Sequence, residues 1–210
     1  MRPLKKQNQS QSVSLPRARG TGTVRIIGGM WRRTPLSIAD LNGLRPTGDR
    51  VRETLFNWLN HIFGDFTEIQ GLDLFAGSGA LGFELASRGA QSVTLIEKNK
   101  AAYAKLCSVR EKLKAESLLD IHCGDCFTLL PSIDKKFDII FIDPPFAFNL
   151  HEKAIKLSLH YLTENGLLYI EAPRQWDAAI LSDLQLKVVR QADAGAVTFR
   201  LVGRSLEEGK

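Results

Sequence analysis

Strands and helices that alternate from residue 70 onward predict an α/β fold. The expected core is a Rossmann-like, mostly parallel seven-stranded sheet with helices on both faces and an antiparallel last strand. Two further observations support it. Ala76-Gly77-Ser78-Gly79-Ala80-Leu81-Gly82 satisfies G-x-G-x-x-G and opens a helix directly after the first of these strands. In addition, Asp73, Glu97, Asp125 and Asp143 fall in or at the C-terminal ends of four successive strands, the edge where such sheets bind ligands.

The elements follow in chain order. Residues 1–22 are polar, acid-free and rich in Ser, Gln and Arg, which predicts a disordered basic tail. Residues 23–48 form an N-terminal extension: in TVRIIGGMWRRTPLSI two short β-like runs flank Gly28-Gly29, a hairpin signal. Residues 49–210 are the main domain. It opens with VRETLFNWLNHIF, whose apolar residues at 51, 55, 58, 59, 62 and 63 have helical spacing, with Asp49 as the expected cap. GLDLF, SVTLIE, DIHCGD, FDIIFID and GLLYIEA read as strands over 71–75, 92–97, 120–125, 137–143 and 166–172. Helical stretches such as SGALGFELASRG, NKAAYAKLCSVREKL and HEKAIKLSLHYL separate them. LKVVRQADAGAVTFRLVG closes the chain as two strands joined around Asp193-Ala-Gly195.

Composition narrows the function classes. With 44% hydrophobic residues and no apolar run near the roughly 20 residues of a membrane helix, no membrane association is expected. The three cysteines, Cys107, Cys123 and Cys126, and the lack of a hydrophobic signal core point to a reducing cytoplasmic compartment. Cys123 and Cys126 form C-x-x-C, but no second pair or nearby His completes a zinc site, so no metal is expected. The net charge of +5 is uneven. Residues 1–52 hold 11 Lys and Arg against two acids, a surplus of 9; the remaining 17 cations and 21 acids leave the body at −4. That asymmetry fits a nucleic-acid-facing end, with Arg25, Arg32 and Arg33 as phosphate contacts.

The acids then select among cofactors. Glu97 follows Gly77 by 20 residues, as a dinucleotide fingerprint requires, and an acid there binds the diol of any adenosine-bearing cofactor. Asp73 discriminates: four residues before Gly77, it would repel a pyrophosphate but attract the sulfonium and ammonium groups of S-adenosylmethionine. Asp125 suits the adenine amino group, with Cys126 or Phe127 against the ring, and equally suits the cap of a short helix. Both uses fit.

DLFAGSGALG, LIEKN, GDCF and IDPPF resemble the class I S-adenosylmethionine-dependent methyltransferases over residues 70–203. The resemblance implies a cofactor site from Asp73, Phe75, Gly77, Gly79, Glu97, Lys98, Asp125 and Cys126. It also implies that Asp143-Pro144-Pro145-Phe146 marks enzymes methylating exocyclic amines of nucleobases. Chemistry makes sense of that tetrapeptide. A nucleobase amine is a poor nucleophile because its lone pair is delocalised into the ring. Hydrogen bonds to the Asp143 carboxylate and the Pro144 carbonyl would draw nitrogen toward tetrahedral geometry. Consecutive prolines hold φ at about −65°, so that carbonyl is aimed before substrate arrives. Phe146 offers a stacking face worth roughly 1–3 kcal/mol to an extruded base.

Taken in order, RIIGGMWRRTPL, LRPTGDRVRETLFNWL, LDLFAGSGALGFELASRGA and FIDPPF resemble the RsmD family, over about residues 23–203. That resemblance implies methyl transfer to N2 of guanine 966 in 16S rRNA, in an assembled small ribosomal subunit; a monomer is the expected state, although the sequence itself does not give it. It also implies that Arg45, Thr47 and Arg50 border the active site and that Arg25, Arg32 and Arg33 contact RNA. The tetrapeptide alone leaves a DNA adenine-N6 methyltransferase as the alternative. An NAD-dependent oxidoreductase and a non-catalytic RNA-binding assembly factor are rivals from other classes.

Overall fold

The computed structural model describes residues 23–37, 48–146 and 149–205. The tail 1–22 therefore lies outside the described residues, as do Arg45 and Thr47. Strands β1 (Thr23–Arg25) and β2 (Pro35–Ser37) pair antiparallel as a small separate ribbon. The main sheet comprises β3 (Gln70–Asp73), β4 (Ser92–Glu97), β5 (Leu119–Cys123), β6 (Phe137–Ile142), β7 (Leu162–Pro173), β8 (Leu186–Ala194) and β9 (Val197–Arg204). Its order is β5-β4-β3-β6-β7-β9-β8, and β9 alone runs against its neighbours, as the sequence predicts. A bulge interrupts the β8 register between Val188 and Arg190.

Helices α1 (Asp49–Phe63), α2 (Ala80–Ser87) and α3 (Lys100–Leu113) cover one face. Helices α4 (Cys126–Leu129), α5 (His151–Ser158) and α6 (Ala179–Asp183) cover the other. The strands feed both layers by alternation: Ile139, Phe141 and Tyr169 point to the first, and Ile140, Ile142 and Ile170 to the second. Both faces are buried, which explains why the β6 sequence is a near-continuous apolar run.

Several expectations need correction. Gly28-Gly29 is not a two-residue turn; a wide loop over residues 26–34 joins β1 to β2, closed by Ile26 N–H to Thr34 O and Arg33 N–H to Ile26 O. The glycines serve a different contact. Gly29 has φ 75°, and a Cβ there would lie 1.8 Å from the Ser87 carbonyl oxygen, so the loop must be bare to reach the end of α2. Asp49 does not cap α1: Gly48 occupies the cap position, and Asp49 in the first turn accepts from Arg52 Nη2 at 2.7 Å. On α1, Phe56 is fully buried although the expected apolar stripe omitted it, whereas Ile62 is 37% exposed. The fifth parallel strand begins earlier than Gly166, because Leu162 already pairs with Phe137 before the register shifts.

The loop is held to the domain by a carboxylate with no exposure. Glu84 on α2 accepts from the amides of Ile27 at 2.6 Å and Gly28 at 2.8 Å and pairs with Arg88 at 2.7 Å. Buried Arg52 lies 3.6 Å from it and donates to the Arg25 carbonyl. Ser87 adds two bonds, accepting from Trp31 N–H and donating to Gly28 O. Glu84→Ala would leave buried Arg52 to Asp49 and the Arg25 carbonyl, and would deprive Arg88 of its carboxylate and two part-buried amides of their acceptor, so it should cost about 3 kcal/mol in denaturant unfolding. A loss under about 1 kcal/mol would show that the network does not anchor the loop.

Candidate active site

The chain runs outward from β3 to β4 and β5, then crosses back to β6 on the other side of β3. A crevice opens at that reversal beyond the carboxyl ends of the strands. Asp73 is level with Leu95 on one side and Phe141 on the other, so Glu97 and Asp143 stand two residues further along the same face. Register thus gathers Asp73, Glu97 and Asp143 on the side of the sheet that carries α2.

The glycine loop bridges the strands it lies between: Leu74 N–H bonds Phe141 O and Ala76 N–H bonds Ile96 O. Gly79 enters α2 at φ 78°, where a Cβ would meet Leu106 and Phe83 at 2.6 Å. At Gly77 an added Cβ would meet nothing closer than the Phe75 carbonyl at 3.8 Å, so bare backbone faces open space. Glu97, nearly buried, braces this loop. One of its oxygens accepts from Gly77 N–H and the other from Asn99 N–H, both at 2.6 Å. A carboxylate has about four lone-pair sites, so acceptor capacity remains for a diol.

Asp73 is buried and accepts from Gly82 N–H at 3.1 Å. Loss of hydration raises its carboxyl to about 7, the Gly82 bond opposing and the Glu97 charge adding to the rise. Asp125 accepts from Phe127 N–H at 3.0 Å, so the capping role exists, and it pairs with exposed Lys98 at 2.9 Å. The Lys98 bond holds Asp125 below the ordinary carboxylate range. Cys126 is buried and its thiol is pushed up to about 12, mainly by burial, while Cys123 is exposed. Phe75 and Phe127 meet edge to face with centroids 6.3 Å apart.

On the other side of the crevice, Asp143 follows β6 directly and is half-buried; Pro144 is buried and Pro145 exposed. Phe146 is 43% exposed, so this corner is open rather than packed away. Beneath it lies a group that sequence reasoning missed. Tyr169 donates to Glu171 Oε2 at 2.9 Å, and burial first, then the charges of Glu171 and Asp143, push its phenol up. His151 bonds the Glu171 carbonyl and its ring lies between those of Phe146 and Trp176. Lys153 places Nζ 4.1 Å from the Phe127 centroid, joining the first turn of α5 to the cofactor side. The spacing of strand-end acids could have found Glu171, since it is a fifth acid near the end of a fifth parallel strand. A surface hollow lined by Lys135, Lys136 and His160 lies by the start of β6, away from this chemistry.

The expected RNA contacts divide between two places. Arg25 and Arg50 are exposed near the start of α1, Arg25 within 4.0 Å of Asp49. Arg32 and Arg33 are exposed in the β1–β2 loop, next to residues pinned on the last turn of α2. Arg52, counted in the basic surplus, is buried.

The family model described as conserved hypothetical protein 95 matches residues 24–203. Ribosomal RNA small subunit methyltransferase D of Haemophilus influenzae is 39% identical over 197 residues, covering 91% of this chain and 98% of its own. The Escherichia coli K12 protein of the same name is 38% identical over 203 residues, covering 91% and 96%. The solved structure of yhhF from Escherichia coli superposes with a TM-score of 0.74 at 38% identity, covering 89% of this chain and 100% of that one.

Asp73 supplies a test of the site's electrostatics. A carboxyl whose folded pKa exceeds its unfolded value makes the fold less stable as pH rises between the two. Stability should therefore fall from about pH 4 to about pH 7 and level off above, a drop on the order of 4 kcal/mol. In urea unfolding at pH 5 and pH 8, Asp73→Asn should remove most of that difference. An unchanged difference would place the titration on another group.

Proposed function

The chain belongs to the conserved hypothetical protein 95 family, and on that premise we propose that it methylates the exocyclic N2 of guanine 966 in 16S rRNA. The observation that carries this reading is the open corner where Asp143 and Pro144 end β6 across the sheet reversal from the glycine loop, with Phe146 exposed beside them. S-adenosylmethionine is the donor, and it supplies a methyl group made electrophilic by its sulfonium. The residues fit it. Bare backbone at Gly77 would take the methionine part, Glu97 the ribose hydroxyls, and Asp125 with Phe127 the adenine. Buried Asp73 holds the first turn of α2, and with it the end of the glycine loop, through Gly82.

Asp143 and the Pro144 carbonyl accept the two protons of the target amine, which localises its lone pair toward the donor. Asp143 then takes the proton lost as nitrogen is alkylated. Phe146 stacks on the base while it is out of its helix, offsetting an unstacking cost of a few kcal/mol. The substrate is the assembled small subunit: the basic extension is small, and a folded RNA supplies shape that a short protein need not encode. DNA adenine and NAD chemistry are set aside on kinship with ribosomal RNA methyltransferases.

Labelled cofactor and undermethylated 30S subunits, followed by nucleoside analysis, test the reading directly. N2-methylguanine should form with the native protein. Asp143→Ala should lose at least about a hundredfold in turnover while S-adenosylhomocysteine affinity stays within about threefold. N6-methyladenine as product, or full activity in that variant, would overturn it. RNA affinity should also fall steeply with salt. Reversing the charge of Arg32 and Arg33 should flatten the plot of log affinity against log salt by about 0.7 for each phosphate no longer neutralised. An unchanged slope would move the RNA-binding surface elsewhere.

A further inference from the structure

We propose that His151 is a positioning residue acting through Phe146: its ring is the inner support that sets the angle at which Phe146 receives the target base. The inference rests on the base-stacking role assigned to Phe146 above.

The geometry is a short row of rings that starts at the reaction corner and has a buried histidine in its middle. Phe146, 43% exposed, lies 6.1 Å from the His151 ring with 31° between planes. His151, 1% exposed, lies 5.5 Å from Trp176 at 39°, and the Arg200 guanidinium stands 5.7 Å from the Trp176 ring. The outer ring is wet and the middle one dry, as a platform and its backing should be. His151 itself is held in one state. Its Nε2 lies 2.9 Å from the Glu171 carbonyl oxygen, which only accepts, so Nε2 carries the proton. Nδ1 is buried and has no hydrogen-bond partner among the described residues. A second proton there would be an unpaired buried N–H on a cation, and burial accordingly lowers the imidazole pKa. The side chain is thus an uncharged ring pinned at one nitrogen.

Phe146 needs such backing. It sits in the connection between β6 and α5, outside the sheet and outside the α-helices. An exposed phenyl without a wall behind it visits several rotamers, and a base stacked on it would be displaced from the Asp143 and Pro144 acceptors. His151, as the first residue of α5 bonded to β7, ties the phenyl to the sheet that carries those acceptors.

The test is a mutant cycle on methyl transfer to undermethylated 30S subunits, with S-adenosylhomocysteine binding as the check on folding. His151→Asn keeps a donor for the Glu171 carbonyl but removes the ring; His151→Phe keeps a ring and removes the donor. We expect the Asn variant to lose about tenfold in kcat with S-adenosylhomocysteine affinity unchanged, and the Phe variant to keep most of kcat. In a Phe146→Ala background, His151→Asn should cause no further loss. Multiplying losses in the double variant, or equal losses in the Asn and Phe variants, would overturn the inference while leaving the stacking role of Phe146 standing. Full turnover in Phe146→Ala would remove the stacking role itself and the inference with it. If the Asn variant does not bind S-adenosylhomocysteine, His151→Leu replaces it as the ringless member of the cycle.

Discussion

Carboxylates gathered along one edge of one sheet are the constraint around which this molecule is arranged. Parallel register puts Asp73, Glu97 and Asp143 on the same face, with Asp125 just past the end of β5 and Glu171 on β7. Like charges so placed repel, and the low dielectric of the interior magnifies the effect. The fold meets the cost locally. Gly82 holds Asp73, Gly77 and Asn99 hold Glu97, Phe127 and Lys98 hold Asp125, and Tyr169 holds Glu171. Much of the hydrogen bonding around the crevice is therefore the means by which a negative edge is kept folded. Such an edge welcomes a cationic sulfonium compound and repels a polyphosphate.

An acidic edge also repels RNA, so this edge and the basic surplus of residues 1–52 pull in opposite senses. Glu84 resolves that tension by facing away from the edge. It uses its charge to seat the Ile27 and Gly28 amides and the Arg52 and Arg88 cations against α2. One carboxylate thereby fastens a positively charged loop to an otherwise negative body. The two are close enough that Gly29 cannot bear a side chain, so the loop and the last turn of α2 behave as one surface.

The sheet was largely legible in the sequence because alternation and strand-end acids are local signals. β4 falls on the expected residues, and β6 ends where Asp143 introduces the prolines. The placement of the glycine loop and the acids along one edge was legible for the same reason, since both sit within a few residues of a strand end. What stayed hidden depends on contacts distant in sequence. Glu84 looks like any helix-surface acid until the residues around 27 are folded onto it, 57 positions away. His151 and Trp176 come together only because α5 packs on β7. The Gly28-Gly29 misreading has the same origin, since two glycines signal a tight turn locally and a close approach to another element only in three dimensions. Asp125 shows the opposite limit: cap and ligand were both readable, and the structure displays the cap without removing the other use.

The bulge in β8 has a consequence for how the protein keeps company with itself. Among the described residues β8 is the outermost strand on its side of the sheet, so one row of its backbone groups has no neighbouring strand there. A flat rim of that kind templates aggregation. The irregularity between Val188 and Arg190 coils the rim, and Lys187 and Arg190 stud it with charge. The opposite rim, β5, is five residues long and carries Asp120 and His122. Neither border offers a straight, uncharged strand to a second copy, so the sheet can stay open at both ends without inviting fibrils.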